Sequence, residues 1–452
     1  MRKFFSLLIG LSGFCFSQYQ SDSIQFKKIS DEILLKGKAY DNLRELTKDI
    51  GQRLSGSENY DKATLWAEKK LKEAGAEKVW LQEVMVPVWV RGKESLKMKT
   101  ENDSWEDLTF LSLGNSEGTH GKDVEGEVLM VNSLEEFEKI PAEKVKDKIV
   151  FFNYKFKQDY VQTFHGYGDA SKYRVLTASK VAEKGGKFVV IRSVSTGLGD
   201  VPHTGVMRYD EDFAKIPAVA IGNSSADALA EILKNKKVSL KLNSHCGMKA
   251  EKINHNIIGE IPGKKDGKVI VVGAHLDSWD VGEGAHDDGS GIVQSIEVLR
   301  TFKQLGIQNN HTIRIICYAN EENGARGGVK YAETAKLENE PHVFAIESDA
   351  GGFSPRGISL DMDATKIKEV EKWSALFLPY GIYDFSGRYG GVDIDPLKVE
   401  IQTPLAGLSP DSQRYFDIHH TPEDTFEKVN RRELHLGAVA MAQIVYMVDK
   451  YW

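Results

Sequence analysis

The sequence predicts an α/β protein, a mixed, mainly parallel central sheet flanked by helices and interrupted by an inserted, β-rich span. Three observations predict it. Apolar, β-branched runs at 269–272, 312–319 and 342–346 each end abruptly in polar residues, as strands buried on both faces do where they leave a sheet. Behind the first of them Ile292, Ile296, Leu299 and Phe302 recur at helical spacing. Between 118 and 244 the texture changes to short strand-like runs alternating with loops. At 452 residues the chain exceeds the length at which one core keeps growing, so more than one domain is expected. The division is a leader at 1–17, the N-terminal part of the larger domain at 22–117, the insert at 118–244, and the remainder at 245–452.

Arg2 and Lys3 precede an apolar run, 4–16, that is too short to span a bilayer and ends at Ser17. This reads as an export leader cleaved near Ser17, and Phe14 ahead of Cys15 argues against lipid attachment. No other stretch is long and apolar enough to cross a membrane. The expected product is therefore soluble, exported to periplasm or medium, and without a membrane anchor. A net charge of −7 argues against nucleic acid as a partner. Cys317 lies in an apolar strand-like run, where a free buried thiol is the expected state, and Cys246 is given no function.

From 22 to 89 the pattern reads as two helices and a strand. Leu43, Leu46 and Ile50 form one stripe, and Tyr60, Ala63, Trp66, Ala67 and Leu71 another. Gly75 stops the second helix, and a strand over 79–86 is ended by Pro87. Arg53, Ser55 and Ser57 sit in the turn between the helices and read as turn and cap chemistry. In the insert, strands are expected at 128–131, 148–152, 188–192 and 216–221, with helices at 179–183 and 226–233. His165 and His203 stand alone on its loops and read as solvated.

The chemistry collects at strand ends. The run 269–272 empties into His275, Asp277, Asp287 and Asp288 before Gly289, Ser290 and Gly291. The run 312–319 ends in Asn320, Glu321, Glu322, Asn323 and Gly324, and 342–346 in Glu347, Ser348 and Asp349. A late loop carries His419, His420, Thr421, Glu423, Asp424 and Thr425, ahead of a closing helix over 431–446. In open α/β sheets the crevice at the carboxyl ends of the strands is where ligands bind. Divalent ions held for hydrolysis want carboxylate oxygens and imidazole nitrogens with a position left for water. His275, Asp287, Glu322, Asp349 and His420 would satisfy two such ions sharing one carboxylate. Neighbours in an extended loop point opposite ways, so in the Glu321–Glu322 pair one can ligate while the other handles protons.

The motifs HLDSWDVGEGAHDDGSG, YANEENGARGG, ESDAGG and YFDIHHTPEDT resemble those of the co-catalytic di-zinc exopeptidases, which include zinc aminopeptidases and a carboxypeptidase Q branch; the SWDVG run resembles that branch most. The resemblance implies a zinc exopeptidase fold with 118–244 as an inserted protease-associated domain. It implies two Zn2+ ions, one held by His275 and Asp349, the other by Glu322 and His420, with Asp287 bridging and Glu321 as general base. It further implies hydrolysis of dipeptides or short peptides by a metal-bridging hydroxide. Asp277 is expected to accept a hydrogen bond from His275, Asp288 to support its turn, and His419 to pack or sit at the rim, since one of two adjacent histidines should face the metals. His286 departs from the family pattern and is expected at the rim. Asp424 and Thr425 are expected to orient their loop, residues 389–396 to line the pocket, and Arg326 and Arg414 are candidate cations for a substrate carboxylate. Three alternatives are weighed: a zinc aminopeptidase of the same fold, a single-zinc glutaminyl cyclase, and an inactive receptor-type domain. Retention of both His275 and Asp349, with Glu321 intact, argues against the last two. The chain end attacked, the residue preference and the oligomeric state, a homodimer included, stay open.

Overall fold

Two sheets organise the chain in a computed structural model that describes residues 19–101 and 103–452; the leader expected at 1–17 lies outside the described residues. The first sheet has seven strands in the order Lys78–Val90, Gly247–Ile261, Thr312–Tyr318, Val269–His275, His342–Glu347, Leu405–Pro410 and Pro355–Asp361. Thr312–Tyr318, Val269–His275, His342–Glu347 and Leu405–Pro410 run parallel to one another, and the flanking pairings are antiparallel. This is the mixed sheet the apolar runs predict, and every residue of Val269–His275 and of Thr312–Tyr318 is buried. From Val269–His275 the chain moves to Thr312–Tyr318 on one side and then crosses to His342–Glu347 on the other. The strand order therefore reverses at Val269–His275, and the crevice this opens at the carboxyl ends receives His275, Glu321 and Asp349.

Among the described residues three helical segments, not two, precede the first strand. Gln20–Lys36 buries Phe26, Ile29 and Ile33 against the closing helix Arg431–Tyr451, and Ala39–Arg44 continues as a wider turn over Glu45–Ile50. Glu58–Ala74 is capped by Ser57 and closed by Gly75 at φ +99°. Pro87 does not end the strand, which runs on to Val90. Its missing N–H is tolerated because Lys78–Val90 is an edge strand and the register shifts between Val86 and Val88.

The second sheet has eight strands, with Val124–Val131, Ile149–Phe152, Phe188–Arg192 and Ala218–Ile221 parallel at its centre. It also draws on Glu94–Thr100, Glu106–Asp107 and Phe110–Ser112, ahead of residue 118, because Glu94–Thr100 pairs along its whole length with Val238–Ser244. Helices cover both faces. Thr163–Glu183, much longer than the 179–183 patch expected, packs on one, and Asn223–Leu233 on the other. The apolar cluster beneath the first helix includes Phe353, Tyr415, Phe416 and Ile418. The two sheets are thus joined at the loop that carries His419 and His420. Cys246 and Cys317 are buried and unpaired, the free buried state expected of Cys317. Among the described residues no helix is long and apolar enough to cross a membrane.

Candidate metal centre and cleft

His275 is the last residue of the central buried strand, so its ring is delivered from a rigid element. Its Nδ1 lies 3.0 Å from the carbonyl oxygen of Asp277. A carbonyl only accepts, so Nδ1 carries a proton, and Nε2 is the ring nitrogen left to face the acidic cluster. That Nε2 faces Asp287 and Asp349, 3.3 Å from a carboxylate oxygen of each. The expected bond from the ring to the Asp277 carboxylate is not made, that oxygen lying 3.8 Å away. The carboxylate instead accepts the backbone N–H groups of Glu321 at 3.1 Å and Glu322 at 3.3 Å, and the Ser55 hydroxyl at 3.3 Å. Asp277 therefore orients His275 with its backbone and the glutamate pair with its side chain.

His420 Nε2 lies 3.1 Å from the second oxygen of Asp287 and 3.2 Å from Glu322. His419 stacks on it at 3.5 Å and also turns Nε2 toward Asp287, at 3.5 Å. Both histidines face the acidic cluster, because stacking aligns the two rings; the expected division into one facing and one rim residue does not hold. His420 adopts φ +60°, a left-handed conformation uncommon for a non-glycine residue. The second-sheet unit holds it there: Thr204 N–H donates to the His420 carbonyl at 3.0 Å, and the Ser195 hydroxyl to the Phe416 carbonyl at 2.9 Å.

Four of the five residues expected to ligate, His275, Asp287, Asp349 and His420, fall into two groups that share Asp287, with His419 joining the second and Glu322 placed beside His420. His275, Asp287 and Asp349 present ligand atoms within 4.8 Å of one another, as do Asp287, His419 and His420. His275 Nε2, one oxygen of Asp287 and one of Glu322 are buried with no hydrogen-bond partner. Burial opposes charge on His275, yet Asp349 and Asp287 prevail and hold it well above its ordinary value. Burial, with Asp349 and Asp287 nearby, pushes Glu321 far up, and burial with Asp287 does the same to Glu322. Buried lone pairs without a donor, gathered with acids that burial makes costly to ionise, are a donor set suited to cations. Nitrogen and oxygen donors with no thiolate fit zinc.

Several neighbours are braces. Arg53, fully buried, donates from Nε to Leu276 O at 2.5 Å and from its Nη atoms to Glu283 O and Gly284 O at 2.8 and 2.9 Å. Asp424 accepts the N–H groups of His286 and Asp287 at 2.8 and 3.1 Å, and Asp288 accepts Gly291 N–H at 2.9 Å. His286 is not at the rim. It is buried, stacks on Phe353 at 4.3 Å and accepts Gly352 N–H, and burial lowers it to about 4. His203 is buried too, where a solvated ring was expected, and burial lowers it to about 3; His165 is exposed, on a helix.

In front of the cluster lies a cleft of about 550 Å³ lined by Glu321, Asp349, Tyr389, Val392, Tyr167, Arg174 and Arg208, among others. Residues 389–396 contribute Tyr389 and Val392, as expected. Arg326 and Arg414 do not line it; the first pairs with Glu251 and the second, two-thirds exposed, faces Glu433 at 3.7 Å. Its cations, Arg174 and Arg208, come from the second-sheet unit and were missed. Tyr167 and Arg174, seven residues apart and so on one face of a helix, were the available signal.

The profile of Peptidase family M28 matches residues 256–445, which hold all six residues expected to ligate or catalyse. Human carboxypeptidase Q is 31% identical over 415 residues, 91% of this chain and 85% of that protein. The crystal structure of a Peptidase M28 precursor from Shewanella amazonensis SB2B superposes with a TM-score of 0.89 at 32% identity, covering 95% of this chain and 97% of the other. The zinc aminopeptidase BSAP of Bacillus subtilis shares the fold, with a TM-score of 0.66 at 20% identity over 92% and 95% of the two chains. Identity of this order along nearly the whole length, with the acidic cluster inside the matched span, means that the chain belongs to peptidase family M28.

Proposed function

We propose that the chain is a carboxypeptidase Q-like exopeptidase that binds two zinc ions and hydrolyses dipeptides or short peptides. The observation that carries this reading is Asp287, shared between two ligand groups beside Glu321 at the floor of a cleft sized for a short peptide. His275 and Asp349 would hold one ion, Glu322 and His420 the other, and Asp287 both. When bound, such ions supply water acidified from ~15.7 toward ~7 and polarise a carbonyl oxygen. Glu321, which opens the short helical turn Glu321–Gly324 and lines the cleft, takes the proton from the attacking water and passes it to the leaving amine. Asp277 holds the Glu321–Glu322 backbone so that the two side chains keep separate tasks. Cys246 and Cys317 are buried and line neither group of ligand atoms nor the cleft, and burial raises both, so neither serves as nucleophile. We read the second-sheet unit as the protease-associated domain, walling the cleft.

Glu321→Gln tests the assignment. Amide and carboxylate are nearly isosteric, so kcat on an unblocked dipeptide should fall at least ~10²-fold while zinc content is unchanged. Near wild-type turnover would remove Glu321 from the role.

A further inference from the structure

The run Ser278, Trp279, Asp280, Val281 and Gly282 supplies no ligand-type atom to the cluster, yet its contacts converge on His420. Trp279 is buried, with its ring edge-on to His420 at 5.7 Å and edge-on to Trp89 at 6.3 Å. Gly114 closes a third side: a Cβ there would lie 1.8 Å from Trp279 Cη2 and 2.2 Å from Cζ3. Gly114 does not have a left-handed backbone, so space alone excludes a side chain from it. It is tied into the second-sheet unit, donating its N–H to Gly205 O at 2.9 Å and accepting Met207 N–H at 2.9 Å. Gly205 in turn lies against His420, where a Cβ would come within 2.6 Å of Nδ1. Among the described residues the Trp279 indole N–H has no acceptor, although a buried indole ordinarily finds one, so packing fixes this ring.

Asp280 fastens the same run to the same unit. Arg91 donates from Nε and Nη2 to its two carboxylate oxygens at 2.8 and 2.6 Å, a two-pronged pair that holds both side chains in one geometry. Arg91 Nη1 donates to Ser112 O at 2.6 Å and Nη2 also reaches the Thr204 hydroxyl at 3.3 Å. Thr204 N–H is the donor that holds the His420 carbonyl. At the end of the run Gly282, at φ +71°, passes so close to Thr421 that a Cβ would lie 2.5 Å from its carbonyl oxygen. His420, itself left-handed at φ +60°, depends on such support. His275 and Asp349 do not, since strands of the first sheet deliver them.

We infer that Trp279, wedged by Gly114 and anchored through the Arg91–Asp280 pair, is a positioning residue for His420, through which the second-sheet unit sets the affinity of one zinc position and not the other. The inference rests on the two-zinc reading above. It is tested on the full chain, stripped by a chelator and titrated with Zn2+ by calorimetry, with tryptophan emission followed alongside. Wild type should take up two ions. Gly114→Ala leaves every ligand and Trp279 in place, and should weaken one ion by ~10- to 10²-fold while the other binds as before. Trp279→Phe has a shorter ring and makes room for the new methyl, so adding Gly114→Ala to it should weaken zinc no further. Asp280→Asn should weaken the same ion, and decides the matter if Gly114→Ala does not fold. Filling of that position should change the emission of wild type, and the change should shrink in Trp279→Phe. Equal weakening of both ions, no weakening in a folded Gly114→Ala or in Asp280→Asn, additive losses in the double variant, or an emission change that survives Trp279→Phe would each overturn the inference while the two-zinc reading stands. A wild type that binds fewer than two zinc ions would overturn that reading first and the inference with it.

Discussion

Asp277 illustrates how little of a residue's task is visible in its type. An aspartate two residues from a ligand-type histidine invites the reading of a carboxylate on the ring, but the peptide carbonyl does that work and the carboxylate gathers the Glu321 and Glu322 amides. Asp277→Asn should therefore leave the His275 tautomer intact and loosen the glutamate pair, since an amide has one acceptor oxygen where the carboxylate has two. Kinetics and zinc titration should show kcat and zinc affinity each lowered by ~10- to 10²-fold, the scale on which residues supporting metal ligands act. Unchanged values for both would mean that the two hydrogen bonds carry no weight. Among the ligand-type residues, His275, Glu322 and Asp349 were legible because each lies at or just past the end of an apolar strand run. Arg53 was not, since the carbonyls it braces come from a loop more than 200 positions later.

The closing helix Arg431–Tyr451 was legible from its apolar spacing, and it packs on Gln20–Lys36 and Ser290–Gln304 as a core element. It contains a titrating group the spacing does not reveal. His435 is buried, and its Nε2 accepts the Tyr40 N–H at 3.4 Å, which only a neutral ring can do. Burial, with Arg431 nearby, lowers it from 6.5 to about 4. Between those values the unfolded chain holds a proton that the folded one refuses. The stabilisation is thus complete above about pH 6.5 and is lost as pH falls toward 4, by up to roughly 3 kcal/mol. His203 and His286, also lowered, act in the same direction. The Tm of the wild type should fall across this interval, and His435→Gln should flatten part of the slope. An identical slope in the variant would assign the acid loss elsewhere.

At the scale of the molecule, the second-sheet unit closes one side of the cleft and holds the His419–His420 loop through Thr204 and Ser195. A cleft of about 550 Å³ walled in this way admits a short extended peptide and not a folded chain. Incubation with an intact globular protein should leave its mass unchanged under conditions that consume a dipeptide completely. Rapid internal cuts, read by mass spectrometry, would contradict the reading of that unit as a barrier.

The sequence by itself determined the strand ends and what they deliver. Strand periodicity and burial are local properties, and a buried strand must end where polar residues begin, so His275, Glu321, Glu322 and Asp349 could be placed before any coordinates. What only the tertiary structure decided is everything that depends on contacts between distant segments. Pro87 continues a strand because that strand is at an edge. Glu94–Thr100 belongs to the second sheet because of a partner more than a hundred residues away. The cleft cations are Arg174 and Arg208, not Arg326 or Arg414, because the second-sheet unit folds against the His420 loop. Spacing along a chain carries no record of such pairings, since their free energy comes from surfaces that meet only after folding.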